Sequence, residues 1–346
     1  VTASAAAVTS GAAGRVRHGP DPAPLLALNF GFARARVLGT ALELGLFTEL
    51  ARAPRPAPRL AEDLDCDGEA LRRLLDALAE LGLVEGDDDT GRRPTALAAA
   101  HLVEGGPGWL GDHFAEVLDQ WDAWGALTDV VRGGRRPSPG ARRGLRPGFF
   151  GGAFPIAVRA ATAVVGAAGP RPAGRVLDLV AGGGEWGIAL AAADPEARIV
   201  AQDDEELLHG VRARAERYGV AGRFRYEPAR PGLPAPFADG SFDTVVLAHA
   251  ARFAGHDATA GLVGEAARLL RPGGTLLVAD VLRPERDSDP LHRPMLDLSL
   301  FVNTAEGGLP RAPALRTLME RAGITPTKSV VRGILTTLMG EKRERR

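Results

Sequence analysis

The run Val176-Leu-Asp-Leu-Val-Ala-Gly-Gly-Gly-Glu-Trp-Gly-Ile-Ala-Leu190 joins an apolar strand-like segment to a helix-forming one through three consecutive glycines. Glycine has no Cβ and tolerates φ > 0, so backbone N–H groups in such a turn can approach a ligand closely. A second apolar run, Arg198-Ile-Val-Ala-Gln202, follows and ends in Asp203-Asp204. An acid at that point accepts hydrogen bonds from a ribose diol. Loop and acid together point to a site for an adenosine-containing cofactor. The acidic pair has no third ligand nearby, and His18, His101, His113, His209 and His292 lack metal-ligand spacing. The ribose reading is therefore preferred, and no metal is expected.

The elements that must position these residues alternate in type. Strands are expected at Arg175–Val180, Arg198–Gln202, Phe224–Glu227, Thr244–His249, Thr275–Val281, Ser329–Arg332 and Leu335–Met339, with helices between them. The helix Leu262–Leu270 should stop at Arg271-Pro-Gly-Gly274. The last two strands, separated by Gly333, would add an antiparallel pair at the edge of a parallel sheet. Upstream, Ala23 to Leu50 has apolar residues at helical spacing, suited to two helices joined near Gly39 or Gly45. Further helices are expected at Leu60–Leu64, at Glu69–Leu81, from Trp109 to Val131 and at Phe154–Ala168. Helix, helix and a short hairpin around Leu83–Pro94 form the pattern of a winged helix. Its second helix balances Glu69, Asp76 and Glu80 against Arg72 and Arg73, so a scaffold or dimerisation role is preferred over DNA binding.

Composition bounds the rest. The 346 residues are 45% hydrophobic and 25% charged with net charge -1, which fits two globular domains and argues against nucleic acid or an anionic membrane as partner. No uninterrupted apolar run approaches the roughly 20 residues of a membrane span. The single cysteine, Cys66, excludes an internal disulfide and fits a reducing cytoplasm. The expected organisation is a disordered tail over 1–22, a helical dimerisation and winged-helix domain over 23–105, a helical linker with a possible lid over 106–169, and an α/β domain over 170–346. The basic Gly/Pro loop Arg132–Pro147 is the candidate lid.

In this order, several segments resemble one family: bacterial S-adenosylmethionine-dependent O-methyltransferases of natural-product biosynthesis, relatives of the caffeate and anthracycline enzymes. Ala41-Leu-Glu-Leu-Gly-Leu-Phe-Thr-Glu-Leu50 is similar to the dimerisation segment, and Leu71–Val84 to the winged helix. Trp124-Gly-Ala-Leu-Thr128 resembles the central helix. Leu270-Arg-Pro-Gly-Gly-Thr-Leu-Leu277 resembles the turn before a late strand, and Leu296-Asp-Leu-Ser-Leu-Phe-Val-Asn-Thr304 the substrate-contact helix. The implied fold class is α/β: a Rossmann-like class I methyltransferase sheet with a C-terminal antiparallel hairpin, preceded by the helical dimerisation domain.

The resemblance implies S-adenosyl-L-methionine as cofactor, a small aromatic or polyketide-type substrate and a homodimer through the N-terminal helices. It gives Gly182 and Gly184 to the aminocarboxylate end, Asp178 to bracing the loop and Asp203, with Asp204 beside it, to the ribose. Trp121, Trp124, Met295, Phe301 and Asn303 are the candidate substrate-pocket residues. Three positions depart from the pattern. Val180 stands where the loop usually has glycine, Ala229-Arg230 replaces Gly-Asp beside the adenine, and Arg252 stands at the base histidine. Arginine cannot accept a proton at neutral pH but can stabilise a phenolate. His249 and His256 flank Arg252 and complete the catalytic candidates, with His249 also a candidate cofactor contact. The departures keep open a relative repurposed for hydroxylation, decarboxylation or rearrangement. A ligand-binding regulator and a nicotinamide dehydrogenase fit less well.

Overall fold

The computed structural model describes residues 20–134, 147–168, 173–230, 234–283 and 293–344. Most of the expected tail, most of the candidate lid, His18 and His292 lie outside the described residues. Among the described residues, nine strands form two sheets. Strands β1 (Val84–Glu85) and β2 (Arg93–Pro94) pair antiparallel as the wing. The large sheet holds β3 (Arg175–Leu179), β4 (Arg198–Asp203), β5 (Phe224–Pro228), β6 (Phe242–Ala248), β7 (Leu270–Val281), β8 (Ile324–Arg332) and β9 (Leu335–Lys342).

Its spatial order is β5-β4-β3-β6-β7-β9-β8. The first five strands are mutually parallel, whereas β9 runs antiparallel between β7 and β8. The expected closing hairpin is therefore present, with β8 at the edge. Successive side chains of a strand face opposite sides, and that alternation builds two cores. Val176, Val246, Leu277 and Ala279 meet Trp186, Ile188 and the helix Pro147–Ala168 on one side. Leu177, Leu179, Val245, Leu247 and Val278 meet the helices Ala251–Leu269 and Ala312–Arg321 on the other. Strand β3 pairs with β4 on one flank and β6 on the other, so the chain order reverses there. Sheets of this kind bind ligands in the crevice beyond the carboxyl ends of the strands at such a reversal.

The N-terminal domain has its own core of Leu46, Phe47, Leu50, Leu60, Leu71, Leu75 and Leu78. The helix Gly68–Glu80 is started by Asp67, whose carboxylate accepts from the Ala70 N–H. Its exposed charges cancel locally, since Glu69 pairs with both Arg72 and Arg73 and Asp76 pairs with Arg72.

Two sequence expectations need correction. Ala23 to Leu50 holds the helices Ala23–Asn29 and Gly31–Glu43 and the start of a third, Leu46–Arg52, rather than two. Gly45, at φ 64°, makes the second break. The expected helix from Trp109 to Val131 is three pieces, Gly111–Leu118, Trp121–Gly125 and Leu127–Gly133. At the first break the Gln120 N–H turns to the Val117 carbonyl, a tighter i→i+3 bond that ends the α ladder. Taken across the break at Phe30, Ala23–Glu43 has a mean hydropathy of 1.2 and matches a membrane span by length and composition only. The reading of uninterrupted runs passed over it because the charges Arg34 and Arg36 break the apolar series.

Candidate active site

The glycine turn occupies the crevice between β3 and β6. Beyond Leu179 the backbone enters the left-handed region at Val180 (φ 62°), a costly conformation for a β-branched residue. Hydrogen bonds over-determine the turn. The Ala181 N–H donates to the Gln202 carbonyl at 3.0 Å, and the Gly184 N–H to the Ala181 carbonyl at 2.8 Å. The Gly182 N–H donates to Asp203 Oδ2 at 2.8 Å, while Asp203 Oδ1 accepts from the Asp204 N–H at 2.8 Å. Asp178, buried in β3, accepts from the Gly187 N–H at 2.9 Å and ties the start of the helix Glu185–Ala193 to the sheet. Burial pushes the Asp178 and Asp203 carboxyls above the usual range, and neighbouring acids (Glu185 for Asp178, Asp204 for Asp203) add to it.

Next to the turn lies a cleft of about 430 Å³ lined by Val180, Gln202, Asp203, Arg230 and Leu262 among others. Gln202 is buried, and its Oε1 has no hydrogen-bond partner among the described residues. Arg230 and Asp204 are exposed. A larger cavity of about 660 Å³ sits at the opposite, amino-terminal ends of β3, β6 and β7, against Ala173, Thr244 and Thr275. Its lining includes Trp186 and Leu190 of the helix after the turn but no residue of the turn itself.

On the β6 side, His249 follows the strand in a left-handed conformation (φ 56°), fixed by its N–H donating to the Ala279 carbonyl at 2.8 Å. Arg252 Nη1 donates to His249 Nδ1 and to Asp280 Oδ1, each at 2.8 Å. The Arg252 backbone N–H donates to Asp280 Oδ2 at 3.0 Å. Because arginine only donates, Nδ1 must be the accepting nitrogen, which leaves the proton on Nε2. That Nε2 lies 3.4 Å from Glu185 Oε1, close but without hydrogen-bond geometry. Burial, then the Arg252 charge, hold His249 well below the ordinary histidine range, so it is neutral. Burial likewise pushes the Glu185 carboxyl up to about 7. The structure thus brings Asp280, Arg252, His249 and Glu185 together as a buried series next to the start of the helix that follows the turn.

His256 is not part of it. The residue lies beyond a kink at Gly255 (φ 72°) and is exposed. Among the substrate-pocket candidates, Trp121 and Trp124 lie on the piece Trp121–Gly125, and Met295, Phe301 and Asn303 on the helix Arg293–Asn303. Ser299 Oγ reaches Gln120 Oε1 at 3.3 Å and links the two segments. The Asn303 amide donates back to the Ser299 carbonyl at 2.9 Å. Trp121 is half exposed and packs edge-on to Phe32 at 6.1 Å, so part of its ring serves the N-terminal helices.

Glu185, Gln202 and Asp280 were missed by sequence reasoning. Each carried a signal: a single polar residue closing or opening an otherwise apolar run, in Glu-Trp-Gly-Ile-Ala-Leu, Ile-Val-Ala-Gln and Leu-Leu-Val-Ala-Asp.

A doubly wound sheet with a glycine turn and a buried acid on the next strand defines a site of the nucleotide-binding type. Comparison with known proteins names the class. Residues 176–274 match the model of the methyltransferase domain, and residues 26–104 that of the O-methyltransferase dimerisation domain. The chain is 29% identical to the tetracenomycin polyketide synthesis 8-O-methyl transferase of Streptomyces glaucescens, over 94% of this chain and 98% of that one. It is 28% identical to the 3-hydroxy-5-methyl-1-naphthoate 3-O-methyltransferase of Streptomyces sahachiroi, over 82% and 84%. In fold it is similar to human N-acetylserotonin methyltransferase, with TM-score 0.80 and 21% identity over 95% and 99% of the two chains. The chain belongs to the S-adenosylmethionine-dependent O-methyltransferases that carry an N-terminal dimerisation domain.

The residues present fit that cofactor. The turn offers open backbone, Asp203 is buried beside the cleft, and the unpartnered Gln202 Oε1 in the cleft lining leaves an acceptor for a ligand's donors, while Glu185 Oε2, directly after the turn, is a second buried acceptor without a partner among the described residues.

Proposed function

We propose that this protein transfers a methyl group from S-adenosylmethionine to a hydroxyl oxygen of a small aromatic or polyketide-type metabolite. The observation that carries the proposal is the glycine turn at the strand-order reversal, braced by Asp178 and Asp203 and flanked by the 430 Å³ cleft. The substrate class rests on the two Streptomyces relatives, whose names specify a polyketide and a naphthoate.

When bound, the cofactor supplies a methyl group already activated on a positively charged sulfur. The chain's own task is then to hold the acceptor oxygen in line and keep water out. In our reading Gly182 and Gly184 let the turn approach the amino-acid end. Asp203 accepts from the ribose with lone pairs not used by its two backbone donors, and Gln202 and Arg230 flank the base. Trp124, Phe301 and Met295 form apolar walls for an aromatic substrate, with Asn303 as a polar contact.

Neither Arg252 nor His249 can take the acceptor's proton in this arrangement. Arg252 is permanently charged, and His249 has Nδ1 occupied and Nε2 protonated. We therefore assign Arg252 a positioning role and infer that the acceptor reacts as a phenolate or an acidic hydroxyl. The free thiol Cys66 and the dimerisation-domain match extend the proposal to a cytoplasmic homodimer.

The test is incubation with S-adenosylmethionine and a panel of hydroxynaphthoates and polycyclic phenols. S-adenosylhomocysteine and a product heavier by one methylene are expected, with a rate that follows ionisation of the acceptor hydroxyl. Turnover of a phenol without methyl gain would overturn the reading.

A further inference from the structure

Glu185 is the first residue of the helix after the glycine turn and is almost wholly enclosed. Its Oε1 lies beside His249 Nε2, while Oε2 has no hydrogen-bond partner among the described residues. A carboxylate oxygen out of water and unpaired is costly, and a cation supplied by a ligand removes that cost. The neighbouring cations are committed. Arg252 is held by Asp280 and His249, and Arg214 donates to the Gly183 carbonyl at 3.3 Å and lies over the Phe154 ring. The other charged groups facing Glu185 are acids, Asp178 on β3 and Asp203 on β4, and they add to its need for a positive partner.

We propose that Glu185 receives the ammonium group at the amino-acid end of S-adenosylmethionine, with His249 as the adjoining neutral wall. This rests on the methyltransferase reading and assigns to Glu185 a recognition role that the glycine turn alone does not supply. Asp280 and Arg252 are positioning residues in this scheme. Arg252, held by Asp280, occupies Nδ1 and so fixes the His249 proton on Nε2, next to Glu185, and keeps a second cation from forming there. The carboxyl titrates near 7 in the free protein, and an ammonium against it favours the charged form. Binding at pH 7 should then release about half a proton.

The test is calorimetric titration with S-adenosylhomocysteine and with 5′-methylthioadenosine, which keeps the nucleoside and sulfur but lacks the amino acid. Each is run in two buffers of different ionisation enthalpy. The wild type is expected to release about half a proton with S-adenosylhomocysteine and none from Glu185 with methylthioadenosine. Glu185→Gln should bind S-adenosylhomocysteine about 10- to 100-fold more weakly, lose the proton release and bind methylthioadenosine unchanged. The last arm also reports that the variant is folded. S-adenosylhomocysteine binding without proton release, or equal loss for both ligands, would overturn the role of Glu185 alone. Failure of the wild type to bind either ligand would overturn this role and the methyltransferase reading together.

Discussion

At the scale of single residues, the crevice sets burial against charge. Glu185 ordinarily titrates near 4.5 and is pushed to about 7 by burial. Between those values the folded chain retains a proton that the unfolded chain has lost, so this group's contribution makes stability fall as pH rises from about 4.5 to about 7, and level off above. His249 acts in the opposite direction, because its depressed value means that stability is lost as pH falls below about 6.5. The difference between wild type and Glu185→Gln isolates the carboxyl. Without ligand, the variant should be the more stable at pH 8, by up to about 3 kcal/mol, and close to wild type near pH 4.5. Urea unfolding at the two pH values checks this, and a variant weaker at pH 8 would count against an unpaired carboxylate. Asp280 poses the complementary case, a carboxylate 1% exposed whose cation is Arg252. Arg252→Met strands that charge and should cost about 3 to 5 kcal/mol. Adding Asp280→Asn should restore much of the loss, whereas an additive double variant would show that the pair is not coupled.

At the scale of elements, the turn between β3 and its helix works by close approach. A Cβ on Gly184 would stand 2.5 Å from Val211 Cγ1, and the residue has φ 79°. Gly184→Ala therefore combines a clash with left-handed strain and should lower stability by about 2 kcal/mol. The same shift would pull the Gly182 N–H away from Asp203 and weaken S-adenosylhomocysteine binding. Thermal unfolding and calorimetry check the two effects, and a variant matching wild type in both would mean that the turn yields freely. These elements were legible in sequence because β3, β4, β6 and β7 each carry a short, mostly apolar run that ends in punctuation. The three-piece segment from Gly111 to Gly133 was not, since its apolar spacing continues through breaks that only backbone hydrogen bonding reveals. The site divided in the same way. Asp178 lies in the strand that leads into the glycines and Asp203 closes the next apolar run, so both invited attention. The partnership of Glu185, His249, Arg252 and Asp280 joins a turn to the ends of two strands, and sequence spacing carries no record of such cross-strand pairing. His256 seemed near the site only because it follows Arg252 closely in the chain, and the kink at Gly255 intervenes.

At the scale of the whole molecule, the N-terminal helices expose what a lone chain should hide. Leu25, Leu26, Leu28, Phe30 and Phe32 are each at least 60% exposed, and the helix Ala23–Asn29 has no buried residue. A contiguous apolar surface of this kind marks an interaction site. The same stretch overlaps residues 26–104, which match the O-methyltransferase dimerisation domain. We therefore expect a second copy, rather than a bilayer, to cover it. Trp121 packs against Phe32 and opens the short helix that also carries Trp124, so pairing should also steady that side of the proposed substrate pocket. The paired variant Leu28→Asp/Phe32→Asp places two charges on the face without touching the core of Leu46, Phe47 and Leu75. In sedimentation equilibrium the wild type should have twice the mass of one chain, and the variant the mass of one. The variant should keep its affinity for S-adenosylhomocysteine, because the glycine turn and the residues around it come from the α/β half alone. Its KM for an aromatic acceptor should rise as Trp121 loses its support. A wild type that is monomeric in buffer yet floats with lipid vesicles would instead assign the apolar helices to a membrane surface.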